Sequence, residues 1–310
     1  MAFDLLGPFQ GAAARQLNKL VGSERFAEEQ YRDPPGDRGL FGPDSVTWKV
    51  HADLSMFVGG VSALMLQALH PLALAGVLEH SDYRQDPLRR LSRTSSFVAA
   101  TTYASTPVAL RMIDIVKAVH LRVTGTAPDG RPYSASDPEL LRWIHVAEVS
   151  SFMTAHCVYH SNPIRGRDID RYFAENVVVA KGLGATSLPA SAGEVVTYLE
   201  AVRPELQASD QAHEVMAFLS SPWGPDSLTK VVSALITQAA VEILPDWALA
   251  MHGVARPDAK VVRPTTRAML AAARALIGPS PIQAQAAARC GRGSPGEGTR
   301  PAGLVGGAAA

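Results

Sequence analysis

From Val46 to about Gly278 the apolar positions return every three or four residues, the spacing that gives a helix one buried face. The helix starts are marked by short polar residues followed by proline, at Asp86-Pro87, Thr106-Pro107 and Asp137-Pro138, and by Ser191 with Glu194 in capping-box spacing. Strictly alternating runs bounded by hairpin turns are scarce. Only "GTAPDGRPYSAS", residues 125–136, reads as a turn cluster, a small hairpin between helices. The pattern predicts an all-α, single-domain bundle.

The most apolar segment, "MFVGGVSALMLQALHPLALAGVLEH" at 56–80, has the length of a membrane span, but Gln67, His70 and Pro71 cut it into two pieces too short to cross a bilayer. It is expected to form buried core helices, with membrane contact the minor alternative. Ahead of the periodic region, residues 1–45 are rich in glycine, proline and charge, and read as a short helix followed by an irregular arm. Residues 279–310 carry glycine, alanine, proline and arginine with few large apolar side chains, and are expected to form a disordered tail. The periodic stretch 46–278 is the expected catalytic or binding domain.

Composition narrows the classes. Lys+Arg and Asp+Glu are equal at 29 each, so no net field draws the chain to nucleic acid, and recognition of charge must be local. Cys157 and Cys290 show no CxxC spacing, which argues against a disulfide framework or a thiolate zinc site and fits a reducing compartment. "MAFDLLGPFQ" has an acid at position 4 and no basic region before an apolar run, so no secretory signal is expected and a cytoplasmic location is. The oligomeric state is not legible.

Candidate chemistry rests on histidine and arginine. In "TPVALRMIDIVKAVHLRVTG", 106–125, Ala109, Ile113, Val116 and His120 recur at helical spacing and put the imidazole on the apolar stripe. Such a ring needs a partner: a backbone carbonyl, a carboxylate, or a metal such as haem iron. In "HCVYH", His156 and His160 stand one turn apart, with His145 and Glu148 upstream as further donors for a non-haem metal. The paired ExxH motifs of di-iron bundles, GxSxG and phosphate-binding glycine loops are all absent. His70 and His80 flank an apolar helix. In "QDPLRRLSRTSSF", 85–97, Asp86 caps a helix that places Arg90, Arg93 and Thr94 on one face, with Arg84 and Arg89 nearby. That face is either solvated or presents guanidinium groups to an anion.

In order and spacing, "FVGGVSALMLQALHPLALAGVLEHSDYRQDPLRRLSRT", "VHLRVTG", "DGRPYSASDPELLRWIHVAEVSS", "DRYFAE" and "LPDW" resemble the MpaB/latex-clearing-protein oxygenases, formerly a domain of unknown function. The resemblance covers about residues 46–255. It implies a globin-like helical fold with one haem b, and O2 as co-substrate in cleaving carbon–carbon double bonds of isoprenoid chains. By the same likeness His120 is the proximal iron ligand, and the R-x-x-K-T element of rubber oxygenases falls on Arg90, Arg93 and Thr94. Arg93 departs from that element, because a guanidinium has no lone pair for iron. An open or water-filled distal position, or Arg93 turned to a propionate, is therefore expected. The implied partner is a small apolar substrate. The alternatives are a haem-binding protein without turnover, a cofactor-free module for a lipid-like ligand, and a non-haem metal enzyme using His145, His156 and His160.

Overall fold

The computed structural model describes residues 29–81, 87–223, 226–278 and 280–291, without the side chains of 29, 30 and 87–91. Fourteen α-helices follow in order among these residues: α1 (Glu29–Arg32), α2 (Val46–His51), α3 (Ser55–Gln67), α4 (Pro71–His80), α5 (Pro87–Tyr103), α6 (Thr106–His120), α7 (Pro138–Tyr159), α8 (Arg167–Leu183), α9 (Ala192–Ala201), α10 (Asp210–Ser220), α11 (Ser227–Glu242), α12 (Asp246–His252), α13 (Ala259–Ile277) and α14 (Pro281–Gly291). Between α6 and α7 a two-stranded antiparallel hairpin pairs Thr124 with Ser134 and Thr126 with Pro132. The fold is all-α, as the periodicity requires.

The axis of the bundle is the pair α3 and α7. Their backbones come close because Gly59 has no side chain: a Cβ there would lie 2.9 Å from both the Phe152 Cα and the Ser151 carbonyl oxygen. Met65 and Leu69 on one side and Trp143 and Tyr159 on the other are fully enclosed in the largest core cluster, which α11 completes with Ile236 and Ala240. Each such large apolar side chain removed from water contributes about 1.5–3 kcal/mol, the main favourable term holding the bundle together. The apolar 56–80 segment breaks where His70 and Pro71 interrupt it, and α3 and α4 meet at 107°. Among the described residues no single helix is long and apolar enough to cross a membrane, although this pair and the pair α11 and α12 pass the same test when joined across their bends.

Helix entry follows the local chemistry. Asp137 caps α7 by accepting from the Glu139 and Leu140 amides, and Ser191 caps α9 by accepting from Glu194. At α6 the expectation needs correcting. Ser105 occupies the cap position without a side-chain bond, and Thr106 is already the first helical residue. The Thr106 amide and hydroxyl instead both donate to Asp37 Oδ1, at 3.0 Å each, so a distant carboxylate does the capping. Asp86 lies outside the described residues.

The expected disordered tail is also corrected. Its first part forms α14, and Arg289 within it is fully buried. Its guanidinium donates to the carbonyls of Asp37, Tyr31 and Tyr103 at 2.8–2.9 Å, tying α14 to the N-terminal arm and to the end of α5. These hydrogen bonds to backbone carbonyls anchor the helix together with the packing of Ala286 and Ile282 against Tyr31, Phe41 and Tyr103.

Candidate functional site

α6 packs on α5 and α8 through the predicted stripe. Ala109 and Ile113 are buried, and Val116 and His120 are half-buried as the stripe rises toward the surface. On either side of His120 stand exposed apolar residues, Val119 and Leu121. Burial lowers the His120 pKa, so the ring is neutral, and its Nδ1 is enclosed with no hydrogen-bond partner. His252 Nε2 is bound by the Met65 carbonyl at 3.0 Å and His80 Nε2 by the Thr124 carbonyl at 3.2 Å, while His70, His145 and His156 share with His120 an enclosed nitrogen without a partner. An axial iron ligand needs a neutral imidazole with an unclaimed lone pair, and the donor chemistry of His120 fits a haem on that ground.

On α5, Arg93 and Thr94 are exposed, and the Arg90 side chain lies outside the described residues. Spacings of four, four and three put Arg90, Thr94, Val98 and Thr101 on one face of this helix. One to two turns beyond Thr94, at Val98 and Thr101, that face borders a partly open cavity of about 30 Å³ lined from α2, α5, α7 and α8. His120 does not line it.

The cavity brings together polar groups from four helices. His51 bridges two of them, with Nδ1 2.9 Å from the Thr102 hydroxyl and Nε2 3.0 Å from the Tyr172 hydroxyl. Burial drives its pKa down to about 3, so the ring is neutral and carries one proton between two hydroxyl partners. His145, likewise pushed down to about 4 by burial, leaves Nε2 enclosed and unbonded. One turn on, Glu148 also faces the cavity, and burial raises its carboxyl to about 7. Asn176 completes the wall, its amide donating to the Tyr172 carbonyl and the Thr47 hydroxyl. The sequence flagged His145 and Glu148 as a helical i, i+3 pair but gave no sign of His51, Tyr172 or Asn176, since the His51–Tyr172 and Asn176–Thr47 contacts span 121 and 129 residues and the His51–Thr102 contact spans 51.

The HCVYH element forms a different cluster. His156 and His160 stack with ring centroids 4.5 Å apart and planes 17° from parallel, and His160 Nε2 is 3.7 Å from Asp53. Eleven residues of helix place His156 roughly 16 Å along α7 from His145. His145, His156 and His160 therefore do not converge. Among the described residues no group of three or more His, Cys, Asp or Glu is placed to hold a metal ion, which corrects the non-haem metal alternative.

The matching family model is described as "ER-bound oxygenase mpaB/B'/Rubber oxygenase, catalytic domain" and spans residues 48–275 of this chain. No curated protein and no solved structure matches it.

Proposed function

Because the chain belongs to the mpaB and rubber-oxygenase catalytic-domain family, it is an oxygenase, and from that premise we propose that it is haem-dependent and acts with O2 on an apolar, isoprenoid-like substrate. The observation that carries this reading is His120: a neutral imidazole with an enclosed, unclaimed nitrogen, on the apolar stripe of a helix packed against the arginine-bearing α5.

Bound here, haem b would supply an iron able to activate O2. His120 would hold the iron from α6. Arg93, whose guanidinium offers no lone pair for iron, would pair with a propionate carboxylate, the geometry at which guanidinium excels. Arg90 and Thr94, on the face of α5 that leads inward, would orient the oxygen species by donating hydrogen bonds. The apolar residues around His120 would exclude water and accept a hydrocarbon chain. In the sharpest version both oxygen atoms go to the two carbons of one double bond, which breaks to give two carbonyl products.

The test is an absorption spectrum of the purified protein and of His120→Ala. The reading expects a haem band in the wild type that is lost or weakened in a variant whose circular dichroism is unchanged. A colourless wild type, or a variant with an unaltered band, overturns it. Thr94→Ala then separates an enzyme from a carrier, because oxygen consumption should collapse while haem affinity stays nearly intact.

A further inference from the structure

α6 is buried along one side only. The stripe of Ala109, Ile113, Val116 and His120, spaced four, three and four, turns toward its neighbours α5 and α8. The same spacing begun one or two residues later gives two rows on the outside of the helix. Leu110, Asp114, Lys117 and Leu121 form the first, Arg111, Ile115, Ala118 and Arg122 the second, and all eight residues are exposed. Arg122 lies just past the helix cap but keeps to its row, because its Nε donates back to the Ala118 carbonyl at 3.3 Å. Val119, four residues on from Ile115, borders the second row and is exposed as well.

Two properties of these rows point outward. Leu121 is 63 % exposed and Ile115 52 %, and with Leu110 and Val119 they bring four large aliphatic side chains to the surface of one helix. Single exposed apolar residues are ordinary, whereas a group of them on one element marks a contact surface. Among them stand three cations, Arg111, Lys117 and Arg122, against one acid, Asp114, on a chain whose total charge is zero. Neither Arg111 nor Lys117 makes an ion pair among the described residues, so these charges are not used to hold the fold.

We propose that this outer face of α6 docks the protein on an anionic lipid bilayer, with Leu110, Ile115, Val119 and Leu121 entering the boundary between headgroups and acyl chains and Arg111, Lys117 and Arg122 meeting the lipid phosphates. The composition favours lipid over a protein partner. Aliphatic side chains interleaved with Lys and Arg are what an interfacial helix presents to a membrane. The buried centre of a protein interface is instead rich in aromatic residues and poor in lysine, and neither outer row carries an aromatic side chain. An α-helix is only about 10 Å across, so docking would set His120, on the opposite side of α6, close beneath the lipid surface. That an apolar substrate dissolved in the bilayer gains a short path to the site is the one consequence that rests on the proposed function.

Co-sedimentation of the full chain with vesicles tests the docking. The wild type should bind phosphatidylcholine vesicles that contain phosphatidylserine, bind those of phosphatidylcholine alone far more weakly, and be released by salt at roughly 0.5 M. Each basic residue at an anionic surface is worth roughly fivefold in affinity, so Lys117→Gln with Arg122→Gln should weaken binding roughly 25-fold. Ile115→Ser with Leu121→Ser should weaken it at least roughly tenfold while circular dichroism stays unchanged, since both side chains point to water in the free protein. Leu228→Ser with Val231→Ser, equally exposed on α11, should leave binding as it was. The proposal falls if the wild type ignores the serine-containing vesicles, if the α6 variants bind as well as the wild type, or if the α11 variant loses as much. Retention on immobilised polyglutamate without vesicle binding would assign the face to an acidic protein, and a dimer in sedimentation velocity that the α6 variants dissolve would assign it to a second copy; either result overturns the membrane. Vesicle binding needs neither haem nor substrate, so its failure and a failure of the His120 spectrum are read separately.

Discussion

Asp53 and Arg274, 221 residues apart in the chain, meet in a two-point ion pair, with Nε 2.7 Å from Oδ2 and Nη2 2.9 Å from Oδ1. The pair fastens α13 to the turn that begins α3. Burial works to raise the Asp53 pKa, but Arg274 and Ser55 outweigh it and hold the carboxyl below its ordinary value. The bonding geometry is that of a fork on a carboxylate, with the carboxylate nearly enclosed.

Arg274→Met should cost about 3 kcal/mol at neutral pH, since it strands a buried carboxylate. The sign of the pH dependence follows from the lowered pKa. The stabilisation is fully present above the unfolded carboxyl's value and is lost as pH falls through the folded one. Urea unfolding of the wild type and the variant should therefore differ at neutral pH and converge in acid, where Asp53 is protonated in both.

Stability should rise steeply with pH between about 4.5 and 6.5, where three buried histidines remain neutral in the fold but are protonated when it opens. His51 is held at about 3, and His145 and His156 at about 4. Glu148, raised to about 7, works in the opposite direction, because the folded state keeps a proton that the unfolded carboxylate has released. The four groups leave a net uptake of about two protons on unfolding in this window. Glu148→Gln should remove the opposing contribution and steepen the dependence of the urea midpoint on pH by about one proton.

Arg289→Met should cost about 3–4 kcal/mol, because it leaves the Tyr31, Asp37 and Tyr103 carbonyls without their charged donor while preserving much of the side-chain volume. Amide hydrogen exchange should show α14 losing protection first, ahead of α3 and α7. Equal loss of protection throughout would mean that α14 is no separate unit.

Gly59→Ala tests the central contact. Alanine gains about 1 kcal/mol in helix propensity, yet its Cβ would press on the backbone of Ser151 and Phe152 at 2.9 Å, neither of which can swing aside. Overpacking of this kind costs about 1–3 kcal/mol, so thermal unfolding should move down. A rise in Tm would show that α3 and α7 separate easily.

The sequence by itself determined the helical class, the hairpin at 124–134, the caps at Asp137 and Ser191, and the stripe that carries His120, because each is written within a few residues of chain by spacing or by a capping side chain. Only the tertiary structure decided what those faces meet. It joined His51 to Tyr172, gave Thr106 its carboxylate from Asp37, set His145 apart from His156, and buried Arg289 in a segment whose composition promised no order. The physical reason is range. Periodicity encodes which side of a helix turns inward, whereas an enclosed polar contact depends on two inward faces distant in sequence arriving at one place with matching donors and acceptors.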